Sequence, residues 1–89
     1  MEYEPLAEGL RGIKTRSLVI PVLKKYGIDW QTIIGHRRFQ HMTMPRFEIY
    51  TVLRDNGYSS AKIGRICNRD HTSILYGVKK FRRIKSEQY

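Results

Sequence analysis

An 89-residue chain supports one small domain with a modest core, not two. Seventeen Lys and Arg against eight Asp and Glu leave a net charge of +9, which points to a polyanionic partner, nucleic acid first and an anionic membrane surface second. A membrane span is excluded because the longest apolar run, residues 18–23, is short and contains Pro21. No secretory leader is expected where Glu2 and Glu4 follow Met1, and the one cysteine has no internal partner, so a cytoplasmic protein is expected.

Residues 1–16 hold Pro5, Gly9 and Gly12 among mixed charges and read as a poorly ordered arm or short helix. A domain is expected over 17–84, with 85–89 as a tail. Ser17 is placed to cap a helix running to Tyr26, with Leu18, Val22 and Tyr26 in helical register, Pro21 as a possible kink and Gly27 as the stop. Asp29 caps a short helix whose buried face is Trp30, Ile33 and Ile34, ended by Gly35. Residues 36–42 form a basic loop. Thr43 caps a helix with Pro45 in its first turn and a stripe of Phe47, Ile49, Tyr50, Val52 and Leu53, terminated by Asn56-Gly57.

Ser59 or Ser60 then starts a short helix carrying Ile63, Ile66 and Cys67, the last read as a packed core thiol. Asn68-Arg69 breaks it before a helix carrying Ile74, Leu75, Val78 and Phe81, and residues 82–89 are expected to fray as a basic tail. No strand alternation or internal repeat occurs, so the class is all-α: a small helical bundle containing a helix-turn-helix. In that motif the start of the second helix meets base edges in the major groove. Here it offers Asp70, His71, Thr72 and Ser73.

Asp70 suits an N-cap, and its carboxylate could also accept from a cytosine amino group. His71 offers a donor or an acceptor to a base edge. Thr72 pairs a methyl group with a thymine methyl, whereas Ser73, lacking that methyl, suits a phosphate or the cap. Lys62 opposes the dipole at the start of its helix, a conflict that a phosphate would relieve. Arg54 and Arg69 are further candidates for the DNA backbone. The run Lys79, Lys80, Arg82, Arg83 and Lys85 points several ways on a helix and adds long-range attraction.

The stretch Arg69-Asp70-His71-Thr72-Ser73 before Ile74-Leu75, with Ile63-Gly64 upstream and the basic segment from Arg38 to Pro45-Arg46, resembles the DNA-binding C-terminal domain of the bacterial replication initiator DnaA. That family carries Arg-Asp-His-Thr-Thr after a Gly-rich turn, and the likeness covers roughly residues 18–84. Asn68 stands where the family has paired glycines, Ser73 replaces its second Thr, and Phe47 replaces the Gln that commonly follows Pro-Arg. The resemblance implies a Trp-repressor-like helix-turn-helix bound as a monomer to asymmetric double-stranded boxes such as TTATCCACA. It implies Arg38 in an AT-rich minor groove with Arg37 beside it, Arg46 on phosphate, and Asp70, His71 and Thr72 on bases. A narrow minor groove concentrates negative potential, so an inserted arginine is physically coherent.

An enzyme is not expected. The eight carboxylates are scattered, and no Gly-x-x-x-x-Gly-Lys-Ser/Thr phosphate loop occurs. Cys67, His71, His36 and His41 lack the paired cysteines usual for zinc. No metal, cofactor or small-molecule substrate is therefore expected. The family couples such a domain to an ATPase, and here the reading head stands without it, which suggests a stand-alone, nucleoid-associated regulator of replication initiation or transcription. Two alternatives stay open. One is non-specific nucleic-acid binding in which Tyr3, Tyr26, Tyr50, Tyr58, Tyr76 and Tyr89 stack bases, although most suit a core or rim better. The other is an interaction protein that sequesters a replication factor.

Overall fold

Apolar residues at helical spacing build every element of the computed structural model, which describes residues 12–35 and 43–87. Five helices follow in order, α1 (Ile13–Tyr26), α2 (Trp30–Ile34), α3 (Thr43–Asp55), α4 (Ser60–Cys67) and α5 (His71–Glu87), and no strand occurs among the described residues. The class is all-α, as the pattern implied.

The helix ends follow local chemistry. Gly27 adopts a left-handed conformation (φ 66°), which lets its N–H reach the Lys24 carbonyl and that of Ile28 reach Leu23, so the last turn of α1 is closed. Asp29 caps α2 by accepting from the Thr32 N–H at 3.0 Å and from the Thr32 hydroxyl at 2.8 Å. Pro45 lies in the first turn of α3, where its missing N–H costs nothing. Gly57 (φ 93°) ends that helix, and the Tyr58 N–H returns to the Leu53 carbonyl.

The core joins Val19, Val22 and Leu23 of α1, Trp30 and Ile33 of α2, Ile49, Tyr50 and Leu53 of α3, Ile63 and Cys67 of α4, and Ile74 and Val78 of α5. α3 is central and packs against α1, α4 and α5. Its approach to α5 depends on Gly77, where a Cβ would lie 2.7 Å from ring carbons of both Phe47 and Tyr50. Burial pushes the Cys67 thiol up to about 12, in keeping with a packed core thiol.

Three expectations are corrected. α1 starts at Ile13 rather than after Ser17, whose hydroxyl instead donates back to the Lys14 carbonyl inside the helix. A buried 2.7 Å hydrogen bond between Thr15 and Tyr58, 43 residues apart, secures that first turn. α5 does not fray at Arg82; it continues to Glu87, anchored by buried Phe81, an Arg82–Asp55 ion pair and an Arg83–Glu87 contact at 3.6 Å. Leu75 does not belong to the buried stripe, because it lies beside Ile74 on the open side and stays 49% exposed.

Candidate nucleic-acid interface

Ser59, the first of the paired serines, starts α4 by accepting from the Lys62 N–H at 3.1 Å. Asn68 ends the helix in the left-handed region (φ 59°, ψ 48°), and the Arg69 N–H returns to the Gly64 carbonyl at 2.8 Å. Asparagine tolerates that conformation better than most residues, so it can stand where a glycine would be usual. Gly64 is required by the fold-back, since a Cβ there would sit 2.6 Å from the Arg69 carbonyl oxygen.

The turn delivers Asp70 to the head of α5. Its carbonyl accepts from the Ser73 and Ile74 N–H groups, and its Oδ2 accepts from the Thr72 N–H at 3.0 Å and from the Thr72 hydroxyl. These bonds to Thr72 hold the Asp70 carboxyl below the usual carboxylate range. Oδ1 lies 3.9 Å from His71 Nδ1. Asp70, His71, Thr72 and Ser73 are thus brought together, all exposed, on one turn of helix. With its hydroxyl turned to Asp70, Thr72 has its methyl group left for an apolar contact.

An open cleft of about 450 Å³ separates the end of α4 from the head of α5, with Ala61, Arg65, Asn68, Asp70 and His71 among its lining residues. Arg65 was missed from the sequence. Its spacing of four from Ala61 was the available signal, because it places both on one side of α4. Farther along α5, Thr72, Leu75, Tyr76 and Lys79 form the side opposite buried Ile74, Gly77, Val78 and Phe81. Tyr76 is 60% exposed and meets Phe47 edge to face at 5.9 Å, whereas Tyr50 and Tyr58 are buried. Tyr3 and Tyr89 lie outside the described residues.

The remaining basic candidates divide by their surroundings. Arg54 donates to the Tyr58 carbonyl at 3.3 Å, and Lys62 lies 5.1 Å from the centre of the Tyr58 ring. A cation–π contact of that kind offsets the unfavourable position of Lys62 in the first turn by about 0.5–1 kcal/mol. Arg46 and Arg69 both reach the carbonyls at the end of α2. Burial and the neighbouring Arg69 charge lower the Arg46 pKa. Arg37 and Arg38, with the basic loop that carries them, lie outside the described residues, as do His36 and His41. Among the described residues no group of three His, Cys, Asp or Glu is placed to hold a metal, and no helix is long and apolar enough to cross a membrane.

Comparison with known proteins agrees with this geometry. The sequence profile of the family described as bacterial DnaA protein helix-turn-helix matches residues 17–81. The chromosomal replication initiator proteins DnaA of Chloroflexus aggregans and Chloroflexus aurantiacus are 32% identical to the chain over 72 residues. That alignment takes in 79% of the chain and 15% of each initiator. No solved structure matches.

Proposed function

Because this chain belongs to the bacterial DnaA helix-turn-helix family, a family of DNA-binding domains tied to replication initiation, we propose that it binds initiator-box-like double-stranded DNA in a sequence-specific way and thereby regulates replication initiation or transcription. The first turn of α5 enters the major groove, where Asp70 accepts from a cytosine amino group, His71 meets a base edge and Thr72 turns its methyl group to a thymine. Arg38 reads the minor groove beside Arg37, and Arg46, Arg54, Lys62 and Ser73 contact the DNA backbone. The protein acts as a monomer on an asymmetric site and works at the nucleoid.

The observation that carries this reading is the exposed quartet at the head of α5, with the Asp70 carboxylate fixed by Thr72 before any DNA arrives. Side chains already held in place lose less entropy on binding. Fluorescence anisotropy with a TTATCCACA duplex and a scrambled duplex of equal composition, each at two salt concentrations, tests it. A preference of about a hundredfold or more that survives the higher salt is the expected result. Equal, steeply salt-dependent binding to both duplexes would replace it with non-specific binding driven by the +9 charge. Absence of binding would favour a protein partner.

A further inference from the structure

Arg69 immediately precedes Asp70, yet its side chain turns back into the protein. Nη1 donates to the Ile34 carbonyl at 3.3 Å and to the Asn68 carbonyl at 2.9 Å, and Nη2 donates to Ile33 at 3.4 Å and Gly35 at 2.6 Å. The last carbonyls of a helix have no partners within it. A planar guanidinium with several fixed donors can serve a group of such acceptors, which a lysine ammonium cannot do in the same geometry. Arg46 approaches the same end of α2 through Ile33 and Thr32, and the Asn68 amide reaches Ile34 at 3.4 Å. Two like charges can stand together here because a row of carbonyl dipoles receives them.

We infer that Arg69 is a positioning residue, fixing the head of α5 to the end of α2, and not a backbone contact of the bound DNA. Its four Nη hydrogens point at carbonyls 1 to 36 residues away in sequence. Gly64 lets the turn fold close enough for that reach. Gly35, at the end of this tie, directly precedes His36-Arg37-Arg38. Arg69 therefore sets the spacing between the start of the recognition helix and the point from which the basic segment departs. The functional half of this inference rests on the proposed DNA reading; the structural half does not.

Two substitutions separate positioning from phosphate contact. Arg69→Lys keeps the charge and loses the multiple bonds. In the DNA-free protein, amide exchange at Gly35, Ser73 and Ile74 is expected to accelerate on the order of tenfold. Affinity for the TTATCCACA duplex is expected to fall on the order of tenfold, with scrambled DNA unaffected. Arg69→Gln should lose similar cognate affinity while keeping the wild-type slope of log K against log salt. Wild-type binding by Arg69→Lys, together with a slope smaller by about 0.9 in Arg69→Gln, would mean a phosphate contact and overturn the inference. Unchanged exchange at Gly35 in Arg69→Lys would overturn it as well. If Arg69→Lys does not fold, Asn68→Gly keeps the left-handed turn and removes only the amide bond to Ile34, so it should give the same exchange change in smaller measure; identity with wild type counts against the tie. Wild-type protein without box preference would refute the DNA reading, and exchange in the DNA-free protein would still decide the tie.

Discussion

Gly64→Ala offers a test in which helix propensity and packing predict opposite signs. In an exposed helix interior, replacing glycine with alanine stabilises by about 1 kcal/mol. At Gly64 the new Cβ would lie 2.6 Å from the Arg69 carbonyl oxygen, inside the 3.0 Å that real Cβ contacts essentially never breach. The obstacle is backbone, so no side chain can rotate away, and the turn must retreat by at least about 0.4 Å. Overpacking costs about 1–3 kcal/mol, and a rigid obstacle belongs at the upper end. Subtracting the propensity gain leaves a net loss of about 2 kcal/mol, or roughly 8–16 °C in melting temperature for a domain of this size. Because the displaced carbonyl adjoins Asp70, cognate DNA affinity should fall with stability even at temperatures where the variant is folded. Thermal unfolding followed by far-ultraviolet circular dichroism, with anisotropy at 15 °C, measures both. An unchanged or higher melting temperature would refute the steric argument.

Three other perturbations test separate parts of the molecule. His71→Ala and Thr72→Ala should each lose about 1–3 kcal/mol on the cognate duplex and little on scrambled DNA in parallel titrations; equal losses on both would remove the base-reading role. Thr15→Val should destabilise by about 1–2 kcal/mol because the Tyr58 hydroxyl keeps its burial and loses its 2.7 Å partner. A denaturant double-mutant cycle with Tyr58→Phe should show coupling, and simple additivity would refute the bond. At alkaline pH the Cys67 pKa of about 12 stands above its ordinary 9.0, and the Tyr50 phenol, raised mainly by burial, stands at about 12 against 10.0. Both groups ionise more readily when unfolded, so their contribution is complete below pH 9 and is lost as pH rises from 9 toward 12. Cys67→Ala should make stability fall less steeply between pH 9 and 11, and a slope identical to wild type would count against a buried neutral thiol.

The parts of the fold that could be read from sequence are those fixed by neighbours within a turn. Asp29, Ser59 and Asp70 bond N–H groups two or three residues ahead, and Gly27 and Gly57 supply the positive φ their turns need. The start of α1 was not readable in this way. Gly12 makes no side-chain cap, and the first turn is secured by Thr15 through Tyr58, a contact that no local pattern encodes. Leu75, apolar and adjacent to Ile74, reads as part of the same apolar stripe, but a helix turns it about 100° away. Arg69 is the most instructive residue of the site. Beside Asp70-His71-Thr72 it has the composition of a phosphate contact, and only the fold shows that its donors reach carbonyls of α2.

Trp30, the one tryptophan of the chain, is 1% exposed, and its indole N–H has no acceptor among the described residues. An indole in such dry surroundings emits at short wavelength, and water admitted around it shifts the emission to the red. Trp30 also begins α2, whose other end receives Arg46 and Arg69. The chain thus carries its own optical reporter beside its internal clasp, readable without a dye and without DNA.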